Sequence, residues 1–138
     1  MRRLTTEQSA ALVAKYRPQR ARIKWFRHRN WTKSYAMMMA DGCTEIGAVY
    51  PDTPFMALVF LHECAHVQHR DVNLPDNYPE HGYEYAAERT AMCCWRNEGH
   101  VVPTAYVKGA KRYILGCIAR DRKKGHKIKP HVARWAGK

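Results

Sequence analysis

The chain lacks any apolar stretch that a bilayer could hold. Its longest apolar run, Phe55 to Leu61, falls far short of the roughly 20 residues a spanning helix needs. No apolar leader follows the charged start Met1-Arg2-Arg3-Leu4-Thr5-Thr6-Glu7, so a cytoplasmic location is expected. The five cysteines (Cys43, Cys64, Cys93, Cys94 and Cys117) are odd in number and contain no CxxC pair. That spacing supports neither a disulfide framework nor a structural zinc site, and reduced thiols in small buried positions are expected. No internal repeat or low-complexity segment is present. Acidic residues are almost missing from both ends. Residues 1–33 hold ten Lys and Arg against Glu7, for +9, and residues 108–138 hold eleven against Asp121, for +10. The middle, 34–107, carries ten acids against Arg70, Arg89 and Arg96, for −7. An acidic centre suits a cation, whereas basic ends suit nucleic acid or an acidic protein partner, or simply keep the chain soluble.

What remains is the composition of a globular domain. With 138 residues, 46% hydrophobic and 11% aromatic, the chain suits one domain over 1–138 with a modest core. Thr5-x-x-Gln8 forms a capping-box pattern ahead of a helix from Thr6 to Tyr16, which Pro18 ends. Arg22 to Arg27, Ser34 to Met39 and Glu45 to Tyr50 read as strands. Asp41-Gly42 between the last two signals a hairpin of antiparallel neighbours. Thr53-Pro54 places a cap and an N1 proline before a helix from Pro54 to His69, apolar nearly all round until His62 and therefore buried. A loop rich in Asp, Asn and Pro covers Arg70 to Tyr78. Helices are predicted over Pro79 to Asn97 and from Pro103 to near Gly125, with a last short one near His131 to Ala136. Trp25, Trp31 and Trp95 fit core or interface packing better than base stacking.

Residues 62–66 read His62-Glu63-Cys64-Ala65-His66, an HExxH pattern. Positions four apart on a helix share a face, so the two histidines can meet one metal ion, and Glu63 can reach a water beside it. Cys64 points roughly away. Catalytic zinc sites take three protein ligands and keep the fourth position open. His69 lies on the same face but roughly 10 Å along the axis from His62, too far to converge, and is expected to be only a neighbour. A metzincin continuation needs Gly at 69 and His at 72, where this chain has His69 and Val72. The next helix offers His81, Glu84 and Glu88, spaced to share one face.

Glu84-Tyr85-Ala86-Ala87-Glu88-Arg89-Thr90-Ala91 resembles the ExxA(D/N)xxA segment of gluzincin-type peptidases. On that match Glu84 is the third ligand and Glu88, where the family has Asp or Asn, orients a ligand histidine. His81-Gly82-x-x-Tyr85 instead resembles the HGxxF element of SprT/Spartan-type proteases, which makes His81 the ligand. The longer agreement along the helix favours Glu84. Motif order over roughly residues 45–95 is similar to small soluble HExxH peptidases of the ImmA/IrrE type, phage and mobile-element members included. The resemblance implies an α+β, minimal zincin-like domain: a small antiparallel sheet packed on the HExxH helix, with further helices C-terminal. It also implies a zinc-dependent endopeptidase acting on a protein, a DNA-associated regulator among the candidates, with Zn2+ held by His62, His66 and Glu84 and Glu63 as general base. Substrate is expected to add a strand to an edge at Glu45 to Tyr50, and Tyr78, Tyr83 or His69 to donate a second hydrogen bond to the oxyanion. The competing reading is a nucleic-acid-binding or protein-interaction module on an inactive or structural zinc scaffold.

Overall fold

The computed structural model describes residues 2–138. Its order is α1 (Thr6–Tyr16), β1 (Ala21–Trp25), a single 3-10 turn (Trp31–Lys33), β2 (Tyr35–Met38), β3 (Thr44–Ala48), α2 (Pro54–Gln68), α3 (Glu80–Asn97), α4 (Thr104–Lys123) and α5 (Pro130–Ala136). The architecture is α+β, a small sheet beside five helices. No helix among the described residues is long and apolar enough to cross a membrane.

The capping box at α1 forms as its spacing predicts. The Gln8 amide donates to Thr5 Oγ1 at 3.0 Å and the Thr5 amide to Gln8 Oε1 at 2.8 Å. A buried Ser9 hydroxyl then donates to the Pro51 carbonyl, pinning α1 to the segment that leads into α2.

The sheet corrects the antiparallel expectation. β2 and β3 are antiparallel neighbours, with Ala36 opposite Ile46, but β1 pairs with β3 in parallel, giving the order β1-β3-β2 and a mixed sheet. β3 is therefore the central strand, not the edge expected at Glu45 to Tyr50. The physical reason lies in its side chains. Ile46, Gly47 and Ala48 are buried without alternation, as in a strand covered on both faces, while β1 carries Arg22 and Lys24, charges suited to an edge. Gly47 is needed for close approach. A Cβ there would stand 2.3 Å from the Tyr35 ring, whose hydroxyl donates to Glu45 at 2.6 Å.

α2 begins where expected, with the Met56 amide donating to Thr53 Oγ1 and Pro54 in the first turn. Ala57, Leu58, Phe60 and Leu61 are buried, so α2 runs through the middle between the sheet and α3. Trp95 is in the same core, its indole N–H donating to the Val101 carbonyl, and Trp25 packs on Phe60, so both serve packing. Trp31 leans on Phe55 but stays partly exposed. A second cluster, Ile114, Ile118, Val132 and Ala136, fastens α5 to α4. Cys64 and Cys117 are buried, but Cys43 and Cys93 are exposed, against the expectation of uniformly buried thiols.

α3 starts at Pro79 with no side-chain cap of its own. Its first amides are instead met from across the fold by Asp121 of α4: Glu80 N–H donates to Oδ1 at 3.1 Å and His81 N–H to Oδ2 at 2.8 Å. His81 Nδ1 donates to the same Oδ2 at 2.6 Å, and the Lys129 amide donates to His81 Nε2. Asp121 is fully buried. Burial alone would push its carboxyl up, but the His81 amide and ring outweigh this and hold it below the usual carboxylate range. Asp121→Ala is expected to destabilise the fold by about 3 kcal/mol, since it strands buried donors that had a charged acceptor. A depressed carboxyl stabilises fully above its unfolded pKa and loses that contribution as pH falls through the folded value. The wild-type advantage in chemical denaturation should therefore be complete at neutral pH and shrink below about pH 4.

Candidate metal centre

α2 and α3 run antiparallel and bring two i, i+4 pairs face to face. His62 and His66 project from α2, and Glu84 and Glu88 from α3. His62 Nε2 and His66 Nε2 are 2.9 Å apart, and Glu84 Oε1 lies 3.1 Å from the first and 2.7 Å from the second. Three donor atoms thus surround one point. Glu63 is also close, with one ligand atom each from His62, Glu63 and His66 lying within 4.8 Å of one another.

The outer hydrogen bonds define what the inner atoms can do. His62 Nδ1 donates to Glu88 Oε1 at 2.5 Å, and His66 Nδ1 donates to Asp71 Oδ1 at 2.7 Å. With both Nδ1 atoms acting as donors, each neutral ring presents a lone pair at Nε2. Two such lone pairs and a carboxylate oxygen then converge within 3.1 Å, an arrangement that repels itself unless positive charge sits among them. The imidazoles feel the same demand. Burial alone would lower both histidines, yet Glu84 and Glu88 raise His62 well above its usual value, and Asp71 and Glu84 raise His66 to about 9. Glu84 is pushed up by burial and pulled down further by the two rings, so it stays ionised. Bonds of about 2.0–2.1 Å at the tetrahedral angle would set ligand atoms about 3.3 Å apart, a few tenths of an ångström wider than here. The donor set fits a divalent cation.

Two tyrosines of α4 complete the surround. Tyr106 donates to Glu88 Oε1 at 2.7 Å and Tyr113 to Glu84 Oε2 at 2.8 Å, and burial, with the nearby carboxylates, raises both phenols. Each carboxylate is thereby aimed by a second partner. Glu63 is buried beside the cluster, and burial raises its carboxyl despite the two histidines. A cleft of about 720 Å³ opens over these groups, walled by Trp31, Ser34 and Tyr35 on one side and by Tyr83, Tyr106 and Tyr113 on the other.

Of the residues singled out from sequence, His62, Glu63, His66 and Glu84 come together, and Glu88 orients His62. His81 does not join them, because both its ring nitrogens are engaged by Asp121 and Lys129. His69 caps α2 and meets Thr90, so it stands outside the cluster. Cys64 is buried on another face. Of the three oxyanion candidates only Tyr83 lines the cleft; Tyr78 and His69 line an adjoining hollow of about 450 Å³ that shares Tyr83 and Asp71 with it.

No protein-family model matches the chain, and no curated protein or solved structure is significantly similar to it. The site rests on its own geometry.

Sequence reasoning missed Asp71, Tyr106 and Tyr113. Asp71 had a weak signal, an acid three residues beyond the end of α2. The chain reaches it through Arg70, whose φ of +58° folds the backbone back toward His66. Tyr106, Ala110, Tyr113 and Cys117 share a stripe of α4, but nothing in the sequence said which helix that stripe would face. Glu88→Gln and Asp71→Asn are each expected to weaken binding of zinc, used as a titrant, by about 10- to 100-fold while leaving the fold intact. Competition against a fluorescent chelator, with circular dichroism alongside, measures both.

Proposed function

We propose that this chain is a minimal zincin-like metallopeptidase, a zinc-dependent endopeptidase that hydrolyses a protein substrate in the cleft above His62, His66 and Glu84. The observation that carries the reading is the convergence of His62, His66 and Glu84 on one point with a further buried carboxylate, Glu63, beside them at the floor of an open cleft. A purely structural zinc site closes its coordination shell with four protein ligands and has no use for a neighbouring base. Zinc bound here supplies Lewis acidity to a water molecule and to the scissile carbonyl oxygen.

The chain's own groups do the rest. Glu63, its carboxyl raised by burial, accepts the proton of the attacking water and passes it to the departing amine. Glu88 and Asp71 hold the two imidazoles in the Nδ1-protonated form and fix their planes. Tyr113 keeps Glu84 turned toward them, and Tyr106 keeps Glu88 turned toward His62. Tyr83, whose ring stands 6.0 Å from that of His66, is placed on the cleft wall to donate to a developing oxyanion. An extended polypeptide adds to β2 rather than to β3, because β2 is the sheet edge whose start, Ser34 to Ala36, borders the cleft. Ser34 Oγ and Asp71 Oδ2 both border that cleft and are buried without a hydrogen-bond partner among the described residues, leaving polar atoms for substrate or water.

Glu63→Gln is expected to bind zinc as the wild type does and to lose about 10²- to 10⁴-fold in kcat/KM on an unfolded protein substrate such as reduced, alkylated casein. Metal content by atomic absorption and cleavage by mass spectrometry read the two quantities separately. Wild-type protein that holds one zinc and cleaves nothing, over a broad set of unfolded and DNA-bound substrates, would overturn the peptidase reading while sparing the metal site.

A further inference from the structure

The two basic ends differ in how many of their cations meet an acid: among the described residues, four of ten in residues 1–33 and one of eleven in residues 108–138. In the N-terminal segment Arg3 and Arg29 pair with Asp52, Arg22 with Asp41 and Glu45, and Lys15 with Glu98. The central acids not held at the metal cluster are thus largely matched by cations from residues 1–33. In the C-terminal segment the single acid, Asp121, is buried against His81 and contributes nothing to the surface. Among the described residues only Arg120 of the eleven C-terminal cations reaches an acid, Glu80. The others have no acidic partner.

Those cations are not scattered. Lys108, Arg112 and Arg122 are exposed at i, i+4 and i+14 along α4, one face about 21 Å long, with exposed Lys123 flanking it. Exposed charge continues around the α4–α5 connection: Lys124 borders the cleft, Lys127 and Lys129 line the smaller hollow beside Gly82, and Arg134 stands on α5, which packs back along α4. Lys111 lies over the Trp135 ring at 5.6 Å, joining the two helices.

We infer that the outer face of α4, continued by the α4–α5 connection, binds the phosphate backbone of double-stranded nucleic acid without reading its sequence. Charge complementarity chooses the class: duplex DNA carries one negative charge per roughly 1.7 Å of axis, and a straight row of unpaired cations tracks it. A membrane surface fits less well. An interfacial helix inserts its apolar face, but that face of α4, with Ala110, Ile114, Cys117 and Ile118, is buried, and Leu115 is the only large apolar side chain on the outer face among the described residues. Single strands need a free aromatic platform, whereas Trp135 packs on Tyr85 and the Tyr113 hydroxyl is tied to Glu84. Because Gly109, Ala110 and Tyr113 of the same helix border the cleft, the duplex lies about one helix diameter from the metal cluster. The binding itself does not depend on hydrolysis.

The test compares two variants of the full chain with equal loss of charge. One replaces Lys108, Arg112, Arg122 and Lys123 by Gln; the other replaces Arg20, Lys24, Arg27 and Lys33, which are exposed cations of the N-terminal segment, by Gln. Glutamine is a good helix former, and circular dichroism checks that both variants fold. Fluorescence anisotropy with a 20-base-pair DNA duplex, titrated across salt, reads affinity and slope. The α4 variant is expected to bind about tenfold or more weakly at low salt and to flatten the slope of log K against log salt by about 3. The N-terminal variant is expected to stay within about twofold of wild type. Equal losses in both variants, or no loss in the α4 variant, would overturn the assignment of the face. Binding of phosphatidylserine vesicles or polyglutamate as tight as that of the duplex would overturn the choice of nucleic acid.

Discussion

The candidate site depends on a crossing of hydrogen bonds between two antiparallel helices. Glu88 and Asp71 accept hydrogen bonds from the Nδ1–H groups of His62 and His66, and this turns both Nε2 atoms inward toward Glu84. Without those acceptors each ring would be free to choose its tautomer and its plane, and no fixed set of donor atoms would exist. The burial of α2 is what makes the arrangement durable. A helix packed on nearly every side has no freedom to rotate, so the register of its two histidines against α3 is set by Ala57, Leu58, Phe60 and Leu61 rather than by the polar groups.

The same burial explains the position of every other element. The sheet covers one side of α2 with its central strand, which must then be small and apolar; Gly47 and Ala48 meet that need. α4 packs on α3, and its Tyr106 and Tyr113 reach the two carboxylates of the cluster, Glu88 and Glu84. Polar groups at the centre are accordingly satisfied in chains: Tyr113 to Glu84, and Tyr106 to Glu88 to His62. Such chains polarise one another and tolerate little displacement.

Much of this was legible before any coordinates. The helix starts at Thr5, Thr53 and Pro103, and the hairpin at Asp41-Gly42, are written in local chemistry, and local chemistry is short-ranged enough to read. The spacing of His62, His66, Glu84 and Glu88 was legible for the same reason, since helical periodicity converts sequence distance into a shared face. What could not be read was anything set by long-range pairing. The parallel union of β1 with β3 joins residues 23 apart and leaves no turn signal. Tyr106 and Tyr113 reach the cluster only because of how α4 lies on α3. His81, which one motif nominated as a ligand, is claimed by Asp121 forty residues away. The segmental charge reading also needed folding to become meaningful, because it could not say which cations would find acids.

The remote cap on α3 carries a consequence for biosynthesis. A helix whose opening amides wait for a carboxylate supplied forty residues later cannot settle while the chain is still emerging. Glu84 and Glu88 ride on that helix, so a nascent polypeptide that already displays both histidines still lacks a rigid third arm. Assembly of the His62, His66 and Glu84 cluster is thus deferred until the ribosome has released α4, and a prematurely terminated product carries both histidines without the finished cluster.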